Sequence, residues 1–426
     1  MKTTLRYLGF AISVCLVLPA GAVAQNPLSW QDVRDKFEAS NPTLRAGQIG
    51  IEESRAAEIT AHLRPNPQTS LTYDQIGNTD SGSPLSASNL IATVSYLHER
   101  RHKRELRLES AQNATQIAVA NQSDLERTLI FSLRTAFVQT LQEKQVRDLA
   151  RENLSFYDRL LGVHRDRYKA GGIAQVDLDR LELQRVQYES DLQTAEVNLR
   201  TAKIQLLALL NEHSPVDQFD VTGIFDFSTQ IPTLEELRQT ALENRPDLKA
   251  AMQATEKAKS DHRLAVANGS TDPTITVDAG FPSISQTYLS YNPPLRQYVG
   301  VGVSIPLKIF DRNQGEKLRA ELDIHRNEKL SEVARAQVFK DVDSAYATVT
   351  STVSLLQPYK DRYLQQASRI RDTISFSYEH GAASLLDFLS AQADYRSVQV
   401  NYLNLVASYL SAASQLNLAV GREVIQ

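Results

Sequence analysis

The sequence predicts a mainly helical chain that carries a few membrane-crossing β-strands and consists of two similar halves. Residues 168–177 (YKAGGIAQVD) recur without a gap as residues 378–387 (YEHGAASLLD). Four short stretches of alternating apolar and polar residues occur as two pairs, and a long helix-forming segment follows each pair. A duplication of this extent means two similar structural units, so each half is treated as one repeat.

The N-terminal segment has the composition of a secretory signal. Basic Lys2 and Arg6 precede a short apolar core, and small residues at 22–24 provide a cleavage site, which predicts a signal peptide over residues 1–24. Cys15 lies inside this core and follows Val14, where a lipid-attachment site has a small residue, so the pattern argues against lipidation. Later in the chain no segment reaches about 18 consecutive apolar residues, so no transmembrane helix is expected.

The first repeat is predicted to span residues 25–230. A short helix with a break at Asn41-Pro42 leads to strands at 68–76 and 90–97. A helix from about 104 to 169 follows, because this segment contains no proline. A glycine turn and a return helix complete the hairpin.

The second repeat is predicted to span residues 231–426 with the same order of elements. Its helix break is at Arg245-Pro246, its strands are at 273–280 and 298–306, and its long helix starts near Gln314. Pro358 is the one proline inside that helix and predicts a kink or junction. Leucines and tyrosines spaced by seven on the return helices indicate coiled-coil-like packing.

The four predicted strands are long enough to cross a bilayer at a tilt. Four strands cannot close a barrel, and an open sheet edge in lipid leaves costly unpaired amide groups. If these are membrane strands, several chains must therefore share one barrel. A dimer, a trimer or a tetramer would each satisfy this requirement.

Residues 98–102 read His-Glu-Arg-Arg-His, the spacing of a zinc-protease motif. A secreted zinc hydrolase is therefore one alternative class. Against it, two arginines separate the histidines and the motif lies where a strand passes into a helix, so we expect no metal site, no cofactor and no enzyme.

The basic run 100–107 either lines this junction, meets lipid headgroups or is a solvated charge run. A non-pore helical structural protein of the periplasm is a second alternative, but it leaves the four strands unexplained.

With both halves laid out, the chain resembles the TolC family of outer-membrane efflux channels over nearly its whole mature length. The residues that carry the resemblance are the duplication, the run Arg64-Pro-Asn-Pro67, and Ser304-Ile-Pro-Leu307 with Phe310-Asp-Arg-Asn313-Gln-Gly315. The last run is similar to the CzcC-like heavy-metal branch. The resemblance implies a homotrimer in which three chains share a 12-stranded barrel in the outer membrane and a helical tube in the periplasm.

The resemblance also implies the function. The chain would be a passive exit duct of a tripartite efflux system, working with a periplasmic adaptor (membrane fusion protein) and an inner-membrane pump of the RND type. Heavy-metal cations are one candidate cargo, and drug efflux or type I protein secretion are the alternatives. Outer-membrane lipid is an expected partner, whereas the formal net charge of −4 argues against nucleic acid.

The resemblance points to the hairpin ends as the functional region. Asp177 and Asp387 follow the glycine turns and would form a ring of carboxylates that gates the periplasmic entrance. An aspartate in the first turn of a helix is also an ordinary N-terminal residue, so a capping role stays open. The expected adaptor-docking residues are Tyr168, Gly171, Gly172, Ile173, Tyr378 and Gly381. The glycines also fit a plain role as helix C-caps.

Overall fold

A computed structural model of the chain describes residues 26–77, 87–282 and 297–425. The predicted signal peptide and Cys15 lie outside the described residues. In the first repeat the elements are α1 (Trp30–Ser40), α2 (Pro42–His62), β1 (Gln68–Gly77), β2 (Ala87–Leu97), α3 (Lys103–Lys169) and α4 (Gln175–Leu209). In the second they are α5 (Leu234–Asn244), α6 (Pro246–Asn268), β3 (Thr274–Pro282), β4 (Tyr298–Ser304), α7 (Gln314–Pro358), α8 (Leu364–Glu379) and α9 (Leu385–Val420).

Both repeats start their first helix with the same chemistry. The Asp32 N–H donates to Ser29 Oγ (3.3 Å), and the Ser29 N–H donates to the Asp32 carboxylate (2.9 Å). Thr233 and Glu236 form the equivalent capping box at α5. Each box satisfies two N–H groups that a helix start leaves without partners, so both helices begin at defined residues.

The helix breaks also recur, but their side-chain chemistry differs. Asn41 Oδ1 accepts from two N–H groups of the next turn at 2.9 and 3.1 Å, and Pro42 occupies the first position of α2. Arg245 takes the place of Asn41 in the second repeat. Its guanidinium is buried and binds Asp247 (2.5 Å) and Asp341 (2.9 Å). The second break is therefore held by an ion-pair network that reaches α7.

The four strands form one antiparallel sheet in the order β1-β2-β3-β4. Its central pair, β2 and β3, joins the two repeats, with Val94 opposite Val277. In the described chain β1 and β4 each pair with one neighbour, so the sheet has two open edges.

The strand bounds differ from the predicted ones at several ends. The prediction that β4 continues to residue 306 is wrong: it ends at Ser304, since Pro306 has no N–H to donate. β3 covers 274–282 rather than 273–280, and β2 begins at 87 rather than 90, because Asn89 pairs with Pro282 across the ladder. β1 reaches residue 77 rather than 76.

The long helices have the predicted positions. α3 has 67 residues, which at about 1.5 Å per residue makes it on the order of 100 Å long. The predicted irregularity at Pro358 is confirmed, since a π-helical turn, Tyr359–Tyr363, follows it directly. Proline lacks an N–H and crowds the preceding carbonyl, so the hydrogen-bond ladder shifts register there. None of the described helices is both long and apolar enough to cross a membrane.

Three clusters of buried side chains hold the helices together. One centres on the first repeat and includes Phe137 and Leu206. The second centres on the second repeat and includes Val349 and Leu416. Leu206 and Leu416 belong to the residues spaced by seven, so the predicted apolar stripe does face the core. The third cluster lies at the hairpin ends and is formed by both repeats.

Candidate functional site

The first hairpin reverses through a Schellman turn. Gly171 has φ +75°, and its N–H donates to the Tyr168 carbonyl at 2.9 Å. The Gly172 N–H donates to the Arg167 carbonyl at 2.8 Å. These two bonds satisfy carbonyls at the end of α3, and the left-handed backbone at Gly171 favours glycine.

The second hairpin repeats this turn. Gly381 has φ +77°, its N–H donates to the Tyr378 carbonyl at 3.1 Å, and the Ala382 N–H donates to the Ser377 carbonyl at 2.8 Å. A Cβ placed on Gly171 or on Gly381 would have no atom within 4 Å. The requirement for glycine is therefore a matter of backbone conformation and not of space.

Asp387 lies in the first turn of α9 and has a capping role. Its carboxylate accepts from the Ser384 hydroxyl (2.7 Å) and the Ser384 N–H (3.2 Å), while its own N–H donates to Ser384 Oγ (3.1 Å). These hydrogen bonds from Ser384 lower the pKa of the exposed Asp387 carboxyl below its usual value. Asp387 therefore carries its negative charge at neutral pH, as both the capping and the gate interpretations require.

Asp177 occupies the equivalent place on α4 but in a different environment. The N-cap residue of this helix is Ala174, whose side chain cannot form a capping box. Asp177 is half-buried and lies close to Tyr378 of the other repeat. Burial raises the pKa of the Tyr378 hydroxyl, and the charge of Asp177 raises it further. The structure thus brings one predicted gate residue next to one predicted docking residue.

Aromatic side chains fill the core of the hairpin ends. Tyr157 stacks on Tyr188 with ring centroids 4.5 Å apart, and its hydroxyl donates to the Leu181 carbonyl at 3.0 Å. Tyr378 stacks on Phe388 at 4.9 Å. Tyr157 and Phe388 come from different repeats but belong to the same buried cluster, so the two hairpins are packed as one unit here.

A histidine that the sequence did not single out lies in this core. His164 is only 2% exposed, and its ring centroid is 5.4 Å from that of Tyr378 and 6.2 Å from that of Phe388. Within the described chain its Nδ1 has no hydrogen-bond partner. Burial lowers the pKa of the His164 imidazole, and the nearby charge of Arg167 lowers it further. The available signal was its place on the apolar stripe of α3, after Tyr157 and Leu161.

The six predicted docking residues divide into two groups. Tyr168 and the three glycines are exposed at the turns. Ile173 and Tyr378 are half-buried and pack against the aromatic core. All six lie at the hairpin ends, where a partner can reach the first group directly and the second only in part.

The His-Glu-Arg-Arg-His motif does not have the helical geometry of the zinc-protease motif. Arg101 and His102 have φ of +58° and +54°, so the two histidines are not on one helical face. The Glu99 carboxylate binds the Arg107 guanidinium. In the described ranges no three His, Cys, Asp or Glu residues are grouped so that they could hold a metal ion.

Comparison with known proteins identifies relatives along most of the chain. Residues 237–422 match the family model described as Outer membrane efflux protein. The chain is 24% identical over 408 residues to the cobalt-zinc-cadmium resistance protein CzcC of Cupriavidus metallidurans, covering 91% of this chain and 92% of that protein. It is 25% identical over 345 residues to the pyoverdine export outer membrane protein OpmQ of Pseudomonas aeruginosa, covering 79% and 70% respectively.

Solved structures show the same fold. CusC matches with a TM-score of 0.75 and 17% identity over 92% of both chains. The outer membrane protein VceC from Vibrio cholerae matches with a TM-score of 0.74 and 16% identity, covering 92% of this chain and 96% of that one. The Neisseria gonorrhoeae MtrE outer membrane channel, crystallised in its open state, matches with a TM-score of 0.74 and 19% identity over 93% and 89%.

Proposed function

Because this chain belongs to the outer membrane efflux proteins, we propose that it carries heavy-metal cations outward as the exit duct of a tripartite system driven by an RND-type pump. The fold and family make it an outer-membrane efflux duct with its helical body in the periplasm. Channels of this family are trimers that work with a periplasmic adaptor and an inner-membrane pump. The likeness to CzcC over nearly the whole of both chains carries the metal assignment.

The open sheet edges support a shared assembly. Among the described residues, β1 and β4 each pair with a strand on one side only, and unpaired backbone groups are costly in lipid. Three copies would pair β1 of one chain with β4 of the next and give twelve strands. The duplication supports two repeats of residues 25–230 and 231–426, each supplying one strand pair and one hairpin.

We assign the gate to Asp177 and Asp387. In a trimer the two positions would supply six carboxylates at the hairpin ends. The lowered pKa of Asp387 keeps that carboxylate charged, which favours entry of cations and opposes close approach of the ring members. Asp177 lacks a capping hydroxyl and is therefore free of the competing role that Asp387 has.

We assign adaptor docking to the exposed parts of the two turns. Tyr168 retains 38% of its surface and lies beside Gly171 and Gly172. Gly381 is exposed at the matching place in the second repeat. Ile173 and Tyr378 support these turns from the core side, so that a docked partner would meet a preformed surface.

Export of a small organic molecule is the second candidate. OpmQ, whose name records pyoverdine export, is as similar in sequence as CzcC, but the match covers less of both chains. A duct takes its cargo from its pump, so the two candidates differ mainly in the partners that the chain accepts.

Complementation separates these candidates. The full chain is expressed in cells that lack the outer-membrane channel of a metal-efflux system, and in cells that lack the channel for pyoverdine export. Restored growth on cobalt, zinc or cadmium, with lowered cellular metal, is the expected result. Rescue of pyoverdine export alone would favour the second candidate. Failure in both strains, with the trimer present in the outer membrane, would overturn the assignment as an efflux duct.

A further inference from the structure

We propose that the junction between β2 and α3 binds the phosphate of an anionic lipid headgroup. The inference rests on the proposed function, which places the sheet in the outer membrane and the helices in the periplasm. Arg64, Arg100 and Arg101 carry the binding, and we call these three residues the arginine collar. All three are exposed and lie where the sheet meets the helices.

An ion pair of the buried Lys103 with the half-buried Asp272 holds two of the three collar residues in place. Lys103 is only 5% exposed, and its Nζ donates to Asp272 (2.6 Å) and to the Ser270 carbonyl (3.1 Å). The other oxygen of the Asp272 carboxylate accepts from the Arg100 N–H at 3.0 Å. The backbone that presents Arg100 and Arg101 is thus fixed to the start of β3.

The nearby carboxylates already form ion pairs with other basic residues. Asp272 is held by Lys103, Glu99 binds Arg107, and Glu105 binds Arg104 at 2.7 Å. In the part of the chain that the structure describes, no carboxylate lies within 4.0 Å of the guanidinium groups of the collar. Its positive charge is therefore locally uncompensated and suited to an external anion.

The collar borders an open cavity of about 460 Å³. All three arginines line the cavity, and Tyr96 of β2 lines it from the strand side. Guanidinium groups bind phosphate through paired N–H donors, and a tyrosine at a strand end suits the boundary between hydrocarbon and water. The left-handed backbone of Arg101 and His102 costs energy at residues other than glycine, and such strain is concentrated at functional places.

The surroundings favour a lipid over free phosphate. The C-terminal ends of β2 and β4 lie at the same end of the sheet, since Thr274 pairs with both Leu97 and Ser304. Just beyond Ser304, Leu307 is 78% exposed and Phe310 is 91% exposed. Apolar side chains near the arginine collar match a surface where acyl chains meet charged headgroups. Free phosphate has no apolar part that could contact these exposed side chains.

The test counts lipids retained by the assembled full-length protein in native mass spectrometry, with phosphatidylglycerol compared to phosphatidylcholine. The variant changes Arg64→Gln, Arg100→Gln and Arg101→Gln together. The control changes Arg151→Gln, Arg326→Gln and Lys329→Gln, which removes the same charge from exposed helix positions that already have acidic partners. Affinity for phosphatidylglycerol is expected to fall by roughly a hundredfold in the collar variant and little in the control.

Three results would overturn the proposal: equal retention by the collar variant, equal retention of phosphatidylcholine, or displacement of the lipid by millimolar inorganic phosphate. Loss of trimers in the collar variant would also overturn it, because the arginines would then contact a neighbouring copy.

Metal resistance is measured in parallel. If lipid is retained but no metal is exported, the cargo assignment fails while the lipid site stands.

Discussion

The ring of His164 lies 5.4 Å from the ring of Tyr378, so a buried imidazole of the first repeat contacts the second repeat at the hairpin ends. Burial lowers the pKa of His164, the charge of Arg167 lowers it further, and together they outweigh Glu379, whose charge raises it. The packed state therefore holds His164 neutral, while the opened state takes up a proton near the ordinary pKa of about 6.5.

From this the stability of the hairpin ends should fall as the pH drops below about 6.5. Hydrogen exchange of residues 157–188 and 374–388, corrected for intrinsic rates, should accelerate between pH 7 and pH 5. His164→Gln should flatten this dependence. His325→Gln, at an exposed histidine, should leave it intact. Identical profiles for the wild type and His164→Gln would contradict the prediction.

The two turn glycines should be sensitive to alanine for conformational reasons alone. Gly171→Ala and Gly381→Ala should each lower the free energy of unfolding by about 1 kcal/mol, because alanine disfavours positive φ. Gly162→Ala is the matched control, since Gly162 lies inside α3 with open space where the added methyl would lie, and it should stabilise by about 0.5–1 kcal/mol. Chemical denaturation of the purified variants measures the change in unfolding free energy and shows whether each substitution destabilises or stabilises the protein. A loss at Gly162 as large as at Gly171 would refute the reasoning.

Replacing both Asp177 and Asp387 by alanine should enlarge the single-channel conductance in a planar bilayer and weaken its preference for cations. The reason is the removal of up to six carboxylates from the entrance. Ser384→Ala is the control, because it removes the capping hydroxyl of Asp387 but keeps the charge. It should cost about 1 kcal/mol of stability and leave the conductance unchanged. If the conductance rises as much in Ser384→Ala as in the double aspartate variant, the effect comes from loss of the Ser384–Asp387 capping interaction and not from loss of charge.

The buried Arg245 should matter more to stability than Arg238, an arginine with acidic partners that is only half-buried. Arg245→Met leaves Asp247 and Asp341 without their cation and should cost about 3 kcal/mol. Arg238→Met breaks a half-buried pair with Asp343, where solvent screens the two charges, and should cost clearly less. The two variants are compared by their midpoints of chemical denaturation, provided that the dependence of unfolding free energy on denaturant concentration is unchanged. Equal losses would show that burial does not decide the cost.

Local signals were sufficient to predict the order of elements. The Asn41-Pro42 break, the glycine turns and Pro358 act on their own backbone, so their effect is visible in the sequence. The roles of His164 and Arg245 were not predicted, because each depends on side chains that only the tertiary fold brings near. The ion pairs around Lys103 likewise could not be foreseen, because Asp272 comes from a distant part of the chain.

The two free edges of the sheet make folding in the membrane inseparable from assembly. In the described ranges β1 and β4 each have a strand on one side only, so in lipid the strands gain their full stability only when neighbouring copies close both outer sides. The stability of the strands then depends on protomer concentration, in contrast to that of a self-contained domain. Dilution in detergent should therefore loosen the strands before it loosens the long helices, whose packing lies largely within one chain.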